Sequence, residues 1–326
     1  MSGPTSNPYC FLPIEHKNLE ACYQRQKEMF WVPGEIDYSG MDLEWASLDE
    51  DTRRFIKFVL FFFSQSDGLV VENLVENFKK ETKVFKEAGF FYAMQEAIET
   101  IHNETYSILI NELIRDEEEK HKGFNAISHY PAIGKIGAWM KKYMDPSMPL
   151  MNRIVAFACV EGIFFSAPFC SIYWLKRKNI LAPIASANEL IAADEALHVE
   201  FASELYKTFI TTGIHDAVSI DTYREIVMSA VDVSEQFVRA ALKVNLIGMN
   251  ADDMVAYVKC CANVIAEMFI QPSIYSVTNP FPWMTAIAIP NQNNFFDARN
   301  LLYRRPRYEQ QEVNDEDLFA SSDDDW

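Results

Sequence analysis

Apolar residues recur three and four apart over long stretches of this chain, a spacing that predicts helices almost throughout. The first 25 or so residues, with Pro4, Pro8 and Pro13, predict irregular backbone. FWVPG at 30–34 is a short apolar stretch followed by a break. From Met41 to Phe63 an amphipathic segment becomes very apolar at FIKFVLFFF. A helix is predicted from Ser64 to about Lys86, with Gly89 marking the turn, and another from Phe90 to about Lys120. Residues 122–135 are polar and broken by Gly123, Pro131 and Gly134. Pro146 and Pro149 lead into an apolar helix over 150–176. Ser186 or Asn188 is the expected cap of a helix over 189–211, and two more helices fit 218–246 and 251–270. Pro272, Pro280, Pro282 and Pro290 then end regular structure.

Composition supports an all-α chain and narrows its partners. Among 326 residues only 11 are glycine, and 49% are apolar, enough for a sizeable core. The net charge of −18 argues against nucleic acid and against anionic lipid, both of which attract basic surfaces. The six cysteines form no CxxC pair, which predicts reduced thiols in a cytoplasmic protein, and the N-terminal residues have no signal-peptide pattern. The last 20 residues are acidic and poor in apolar groups, so they are expected to be disordered in isolation. Three regions are expected: an irregular segment 1–29, a helical domain 30–290, and a flexible tail 291–326.

Residues 154–175 are long and apolar enough to span a bilayer and carry one charge, Glu161. A lone carboxylate there is costly without a partner or a metal. The expected reading is a core helix with one functional acid, not a membrane span.

The chemistry sits in two short stretches, AIETIHNETYS at 97–107 and LIAADEALHVEFA at 190–202. On a helix, Glu99, His102 and Tyr106 share one stripe about 60° wide, and Glu195 and His198 repeat the acid–imidazole pair one turn apart. Chance placement of 47 acids and six histidines gives about one acid three places before a histidine, whereas the chain has three. Glu118–His121 lies among charged neighbours and reads as a solvated face. The other two pairs lie among Ile, Ala, Leu, Phe and Tyr, where an unpaired Glu is costly. Asp67 precedes Glu99 by 32 residues, and Glu161 precedes Glu195 by 34. One acid from each of two helices and an ExxH from each of two others is the ligand pattern of dimetal carboxylate bundles. Four carboxylates and two imidazoles suit iron or manganese.

The blocks FWVPGEIDYS, SQSDGLVVENLVE, IETIHNETY, VEGIFFSAPF, NELIAADEALH and NPFPWM cover roughly residues 30–300. Together they closely resemble the small, radical-generating subunit of class I ribonucleotide reductase. The resemblance implies a ferritin-like helical bundle with additional helices. It implies two iron ions, with manganese as the alternative, held by Asp67, Glu99, His102, Glu161, Glu195 and His198. With O₂ these would generate a stable tyrosyl radical at Tyr106, inside an apolar shell that maps onto Phe165, Phe169 and Ile191. A charge-transfer route is implied from His102 through Asp194 to Trp31 and on to a tail tyrosine. Tyr303 matches the family pattern without a gap, and Tyr308 needs one. The acidic end, DEDLFASSDDDW, is expected to dock on the large subunit through Phe319 and Trp326, and a homodimer is expected. The hole would reach a cysteine of the large subunit, where ribonucleotides become deoxyribonucleotides.

Three departures from the family pattern stand out. Asn103 follows His102 where a small residue is usual, Ala192–Ala193 precede Asp194 where many relatives carry Arg, and the Asp67–Glu99 interval is one residue longer than in some relatives. Two rival functions share the ligand set: a dimetal oxygenase or desaturase with Tyr106 only as packing, and a non-enzymatic iron-storage bundle.

Overall fold

The computed structural model describes residues 9–243 and 249–284, and these are helical with no β-strand among them. The helices are α1 (Lys17–Met29), α2 (Met41–Ser47), α3 (Glu50–Asn73), α4 (Lys79–Glu81), α5 (Lys86–Leu113), α6 (Glu117–Gly123) and α7 (Ala126–His129). They continue as α8 (Pro131–Met144), α9 (Leu150–Cys159), α10 (Ser166–Lys178), α11 (Ala182–Thr211), α12 (Ile220–Ala241) and α13 (Ala251–Met268). Wide π turns at Leu74–Phe78 and Val160–Phe164 join α3 to α4 and α9 to α10. Contacts divide the chain into Met1–Pro290 and Asn291–Trp326, and all the described residues belong to the first unit. Tyr303, Tyr308, Phe319 and Trp326 lie outside the described residues.

Four long segments form the centre: α3 packs on α5, and α11 packs on α9 and α10. Around them, α1 covers α5 and α11, while α12 packs on α8, α9 and α13. α3 starts cleanly because Asp49 accepts from the Thr52 amide at 2.9 Å and Glu50 and Asp51 face the positive end of the helix. Its apolar face, Phe55, Ile56, Val59, Leu60, Phe62 and Phe63, is buried. α10 stops at Asn179, which takes the left-handed conformation (φ 56°) common one residue past a helix end.

Several predicted boundaries move. The segment 1–29 is not irregular throughout, since 17–29 is α1, with Leu19, Cys22, Gln26 and Met29 on one buried stripe. Ser64 does not begin a helix. It lies inside α3, where Ser64, Ser66 and Asp67 are polar yet buried; the Ser64 hydroxyl donates to the Phe61 carbonyl, and Asp67 faces the functional centre. Gly89 sits inside α5, and the turn falls earlier, at Thr82–Phe85. α5 ends at Leu113, and Asp116 then caps the separate α6 by accepting from the Glu119 amide. Pro131 occupies the first turn of α8, where its missing N–H costs nothing. α11 begins at Ala182, before either expected cap. The π turn at Leu74–Phe78 lies within the long Asp67–Glu99 interval and takes up one residue.

Two stretches are long and apolar enough to cross a membrane, Glu50–Phe78 as well as Leu150–Lys178. Both serve as core: 67% and 94% of their most apolar windows are buried within the fold. All six cysteines are free thiols.

Candidate metal centre

α3 contributes Asp67, α5 contributes Glu99 and His102, the π turn contributes Glu161, and α11 contributes Glu195 and His198. None of the six is more than 2% exposed. Donor atoms of Glu99, Glu161, Glu195 and His198 all lie within 4.8 Å of one another. His102 joins them, with Nδ1 at 3.0 Å from Glu195 Oε1 and 3.4 Å from Glu99 Oε2. His198 Nδ1 is 2.8 Å from Glu195 Oε2 and 3.0 Å from Glu99 Oε1. Glu99 and Glu195 therefore each face both imidazoles.

The titration of these groups follows from crowding. Burial, then repulsion from Glu99, holds the Asp67 carboxyl well above its usual range. Burial, then Glu195 and Glu99, does the same to Glu161. Burial also works against ionised Glu195, but His198 and His102 outweigh it and lower that carboxyl. Burial opposes a charged His198, yet Glu195 and Glu99 carry it up to about 9. His102 is raised well above its usual value: against burial, the carboxylate oxygens of Asp194, Glu195 and Glu99 beside its two nitrogens favour the charged ring.

The donor set fits a pair of divalent ions. Asp67 Oδ2, Glu99 Oε2, both oxygens of Glu161, Glu195 Oε1 and His102 Nδ1 are buried without a well-formed hydrogen bond. Such atoms cost about 1–3 kcal/mol each when left unpaired in a core. Four carboxylates with two neutral imidazoles would balance two doubly charged cations. Hard oxygen donors in the majority suit iron or manganese.

Tyr106 is 1% exposed, and its hydroxyl has no hydrogen-bond partner. Burial, then the negative charge of Asp67 and Glu195, drives that hydroxyl well above its usual value, so it keeps its proton. Its ring stacks on Phe63. Phe165 and Phe169 pack on the same Phe63, at 5.5 and 5.0 Å between centroids. Ile191 is buried one turn before Glu195. Asn103 donates to the Ser64 carbonyl at 2.9 Å, tying α5 to α3 beside this stack.

On the far side of His102, Asp194 Oδ2 lies 3.0 Å from His102 Nε2 and accepts from Trp31 Nε1 at 2.8 Å. The Trp31 and His102 rings are near parallel, 6.0 Å apart. Gln26 Nε2 donates to the other oxygen, Asp194 Oδ1, at 2.8 Å. Two of these contributors were not singled out in the sequence. Phe63 is one of three consecutive phenylalanines, and nothing in the sequence marks it out. Gln26 carries a signal, a lone polar residue on the apolar stripe of α1. The third pair, Glu118–His121, is exposed as expected, with Glu118 paired to Lys122.

The family model for the ribonucleotide reductase small chain matches residues 8–280. This chain belongs to that family. Among its relatives is a ribonucleoside-diphosphate reductase small subunit of Arabidopsis thaliana, 40% identical over 297 residues, which span 91% of this chain and 88% of the relative. The small subunit of vaccinia virus (strain Ankara) is 39% identical over 312 residues, 96% of each protein. Among solved structures, the Rnr4 ribonucleotide reductase homodimer of Saccharomyces cerevisiae shares the fold with a TM-score of 0.75 at 24% identity, over 85% of this chain and 87% of that one. The dimanganese(II)-NrdF of Streptococcus sanguinis shares it at 0.73 and 15% identity, over 87% and 100%. The all-α, ferritin-like expectation therefore holds, and the buried acid–imidazole cluster lies in a ribonucleotide reductase small-subunit fold.

Proposed function

We propose that this chain is the radical-generating subunit of a ribonucleoside-diphosphate reductase, with Asp67, Glu99, His102, Glu161, Glu195 and His198 holding two iron ions. Iron held there would supply, with O₂, the oxidising chemistry needed to take one electron and one proton from Tyr106. The observation that carries this reading is the setting of Tyr106. It lies one turn beyond His102, is 1% exposed, makes no hydrogen bond and rests on a phenylalanine ring. A radical there is shielded from bulk solvent and has no protein hydrogen-bond donor against it. A tyrosine that served only as packing would ordinarily place its hydroxyl against a partner.

Trp31, Asp194 and His102 form the exit. The Asp194 carboxylate accepts from the indole N–H and fixes the far nitrogen of His102, so electron and proton can move together along it. Beyond Trp31, the route continues to Tyr303 in the tail segment 291–326. Phe319 and Trp326 anchor that tail on the large subunit, with its acids steering the approach. Two copies of this chain form the working dimer, in the cytoplasm, where the free thiols stay reduced.

Electron paramagnetic resonance on aerated, iron-loaded protein tests the assignment. A tyrosyl signal is expected in the wild type and none in Tyr106→Phe. A signal that survives the substitution, or is absent from the wild type, overturns it. Removing residues 320–326 is expected to keep the radical and abolish turnover with the large subunit.

A further inference from the structure

Gln26 is an odd residue for its place. It is fully buried on the stripe of α1 that otherwise carries Leu19, Cys22 and Met29, and its Oε1 has no partner. A leucine would fit that stripe without burying an unpaired carbonyl. What Gln26 gains is one contact, from Nε2 to Asp194 Oδ1 at 2.8 Å. The other oxygen of Asp194 serves Trp31 at 2.8 Å and His102 at 3.0 Å. The carboxylate is thus held at both ends, and only the Gln26 end is free of the transfer route. Residues 192 and 193 of the same helix are alanines, with no side chain able to supply that donor. α1 is itself fastened to α11, the helix that carries Asp194. Arg25 pairs with Glu200 at 2.6 Å, and Asn18 donates to Glu204 and Thr208, each at 3.0 Å.

We infer that Gln26 is a positioning residue for charge transfer: by holding Asp194 Oδ1, it fixes the carboxylate plane so that Oδ2 faces Trp31 and His102 at once. This rests on the radical-subunit reading for its purpose, but not for its geometry.

The test uses the full chain in two states. In metal-free protein, the Trp31 indole N–H is followed by nitrogen–proton NMR, its signal assigned by its loss in Trp31→Phe. In Gln26→Leu and in the near-isosteric Gln26→Met, neither of which can donate, that proton is expected to shift and to exchange with solvent about tenfold faster, the effect of weakening one hydrogen bond to a charged group. In iron-loaded protein with the large subunit, turnover per Tyr106 radical is expected to fall about tenfold in both variants. Gln26→Met keeps the length and volume, so it decides the matter if Gln26→Leu does not fold. An indole proton unmoved in Gln26→Met, or unchanged turnover per radical, overturns the inference. Absence of any radical in wild type sinks the functional reading instead and leaves the NMR result standing.

Discussion

The Tyr106 ring lies 2° from parallel with that of Phe63, their centroids 4.6 Å apart. Phe63 in turn is braced by Phe165 and Phe169, so the tyrosine rests on one ring backed by two more. Replacing Phe63 by leucine keeps the site apolar but removes the flat cover. The fold is expected to lose about 1–3 kcal/mol in a denaturant titration, from lost apolar contact and the small cavity left behind. The tyrosyl signal should still form and should decay several times faster, as read by timed resonance spectra. A radical of unchanged lifetime would show that the stack is only packing.

Asp194→Asn separates radical formation from radical export. The amide keeps the shape between Trp31 and His102 but loses the charge that accepts from both. Tyr106 stands near the carboxylates of Asp67, Glu195 and Glu99 and makes no hydrogen bond to Asp194, so its radical is expected in near-normal amount. Turnover with the large subunit is expected to fall at least tenfold, about the value of one charged hydrogen bond. Normal turnover in this variant would remove Asp194 from the route.

Metal uptake should release protons. In the metal-free chain His198 keeps its proton up to about pH 9, and His102, Asp67 and Glu161 all hold theirs above their usual ranges. Metal ions need those same lone pairs, so loading expels the protons and affinity rises with pH up to about 9. Ferrous loading near neutral pH in weak buffer is expected to acidify the solution, visible with an indicator dye. For the metal-free fold the sign is fixed by the raised His198. Its stabilisation is complete below the usual value of 6.5 and is lost as pH rises through about 9. The raised His102 acts in the same direction above its usual value, so the metal-free melting temperature should drop between neutral and alkaline pH. A flat profile would contradict the proton assignments.

Gly162, next to Glu161 in the π turn, has no room for a side chain. A β-carbon there would stand 2.6 Å from Ile265 Cδ1 and 3.3 Å from Val199 Cγ2. Gly162→Ala is expected to cost about 1–3 kcal/mol and to lower metal content. Adding Ile265→Val removes the closest atom and should recover part of both. Chemical denaturation and metal analysis of the two variants decide this; no recovery would place the cost elsewhere.

The buried acid–imidazole cluster was legible in the sequence because its members obey helix spacing. Glu99–His102 and Glu195–His198 are each one turn apart, in surroundings too apolar for idle charge. Helix boundaries near the centre were less legible for the same reason. Asp67 breaks the apolar pattern of α3 because it faces the site, buried Ser64 and Ser66 precede it, and a polar run in sequence looks like a helix end. Pro131 and Gly89 resemble breaks but sit where a first turn tolerates them. α1 was hidden among the N-terminal prolines, and with it Gln26, since a single glutamine has no signature until its partner is placed. The stacking role of Phe63 depends on contacts between helices that no local pattern encodes.

Five of the six candidate ligands stand on ordinary α-helix, and Glu161 alone stands on a π turn. Such a turn closes around one more residue than its neighbours do, which leaves a single residue of slack in the backbone. That slack can pass up or down the helix by exchanging hydrogen bonds, with neither α9 nor α10 unwinding. Glu161 is therefore the member of the set whose backbone carries the extra residue, and the other five keep the regular one-turn spacing.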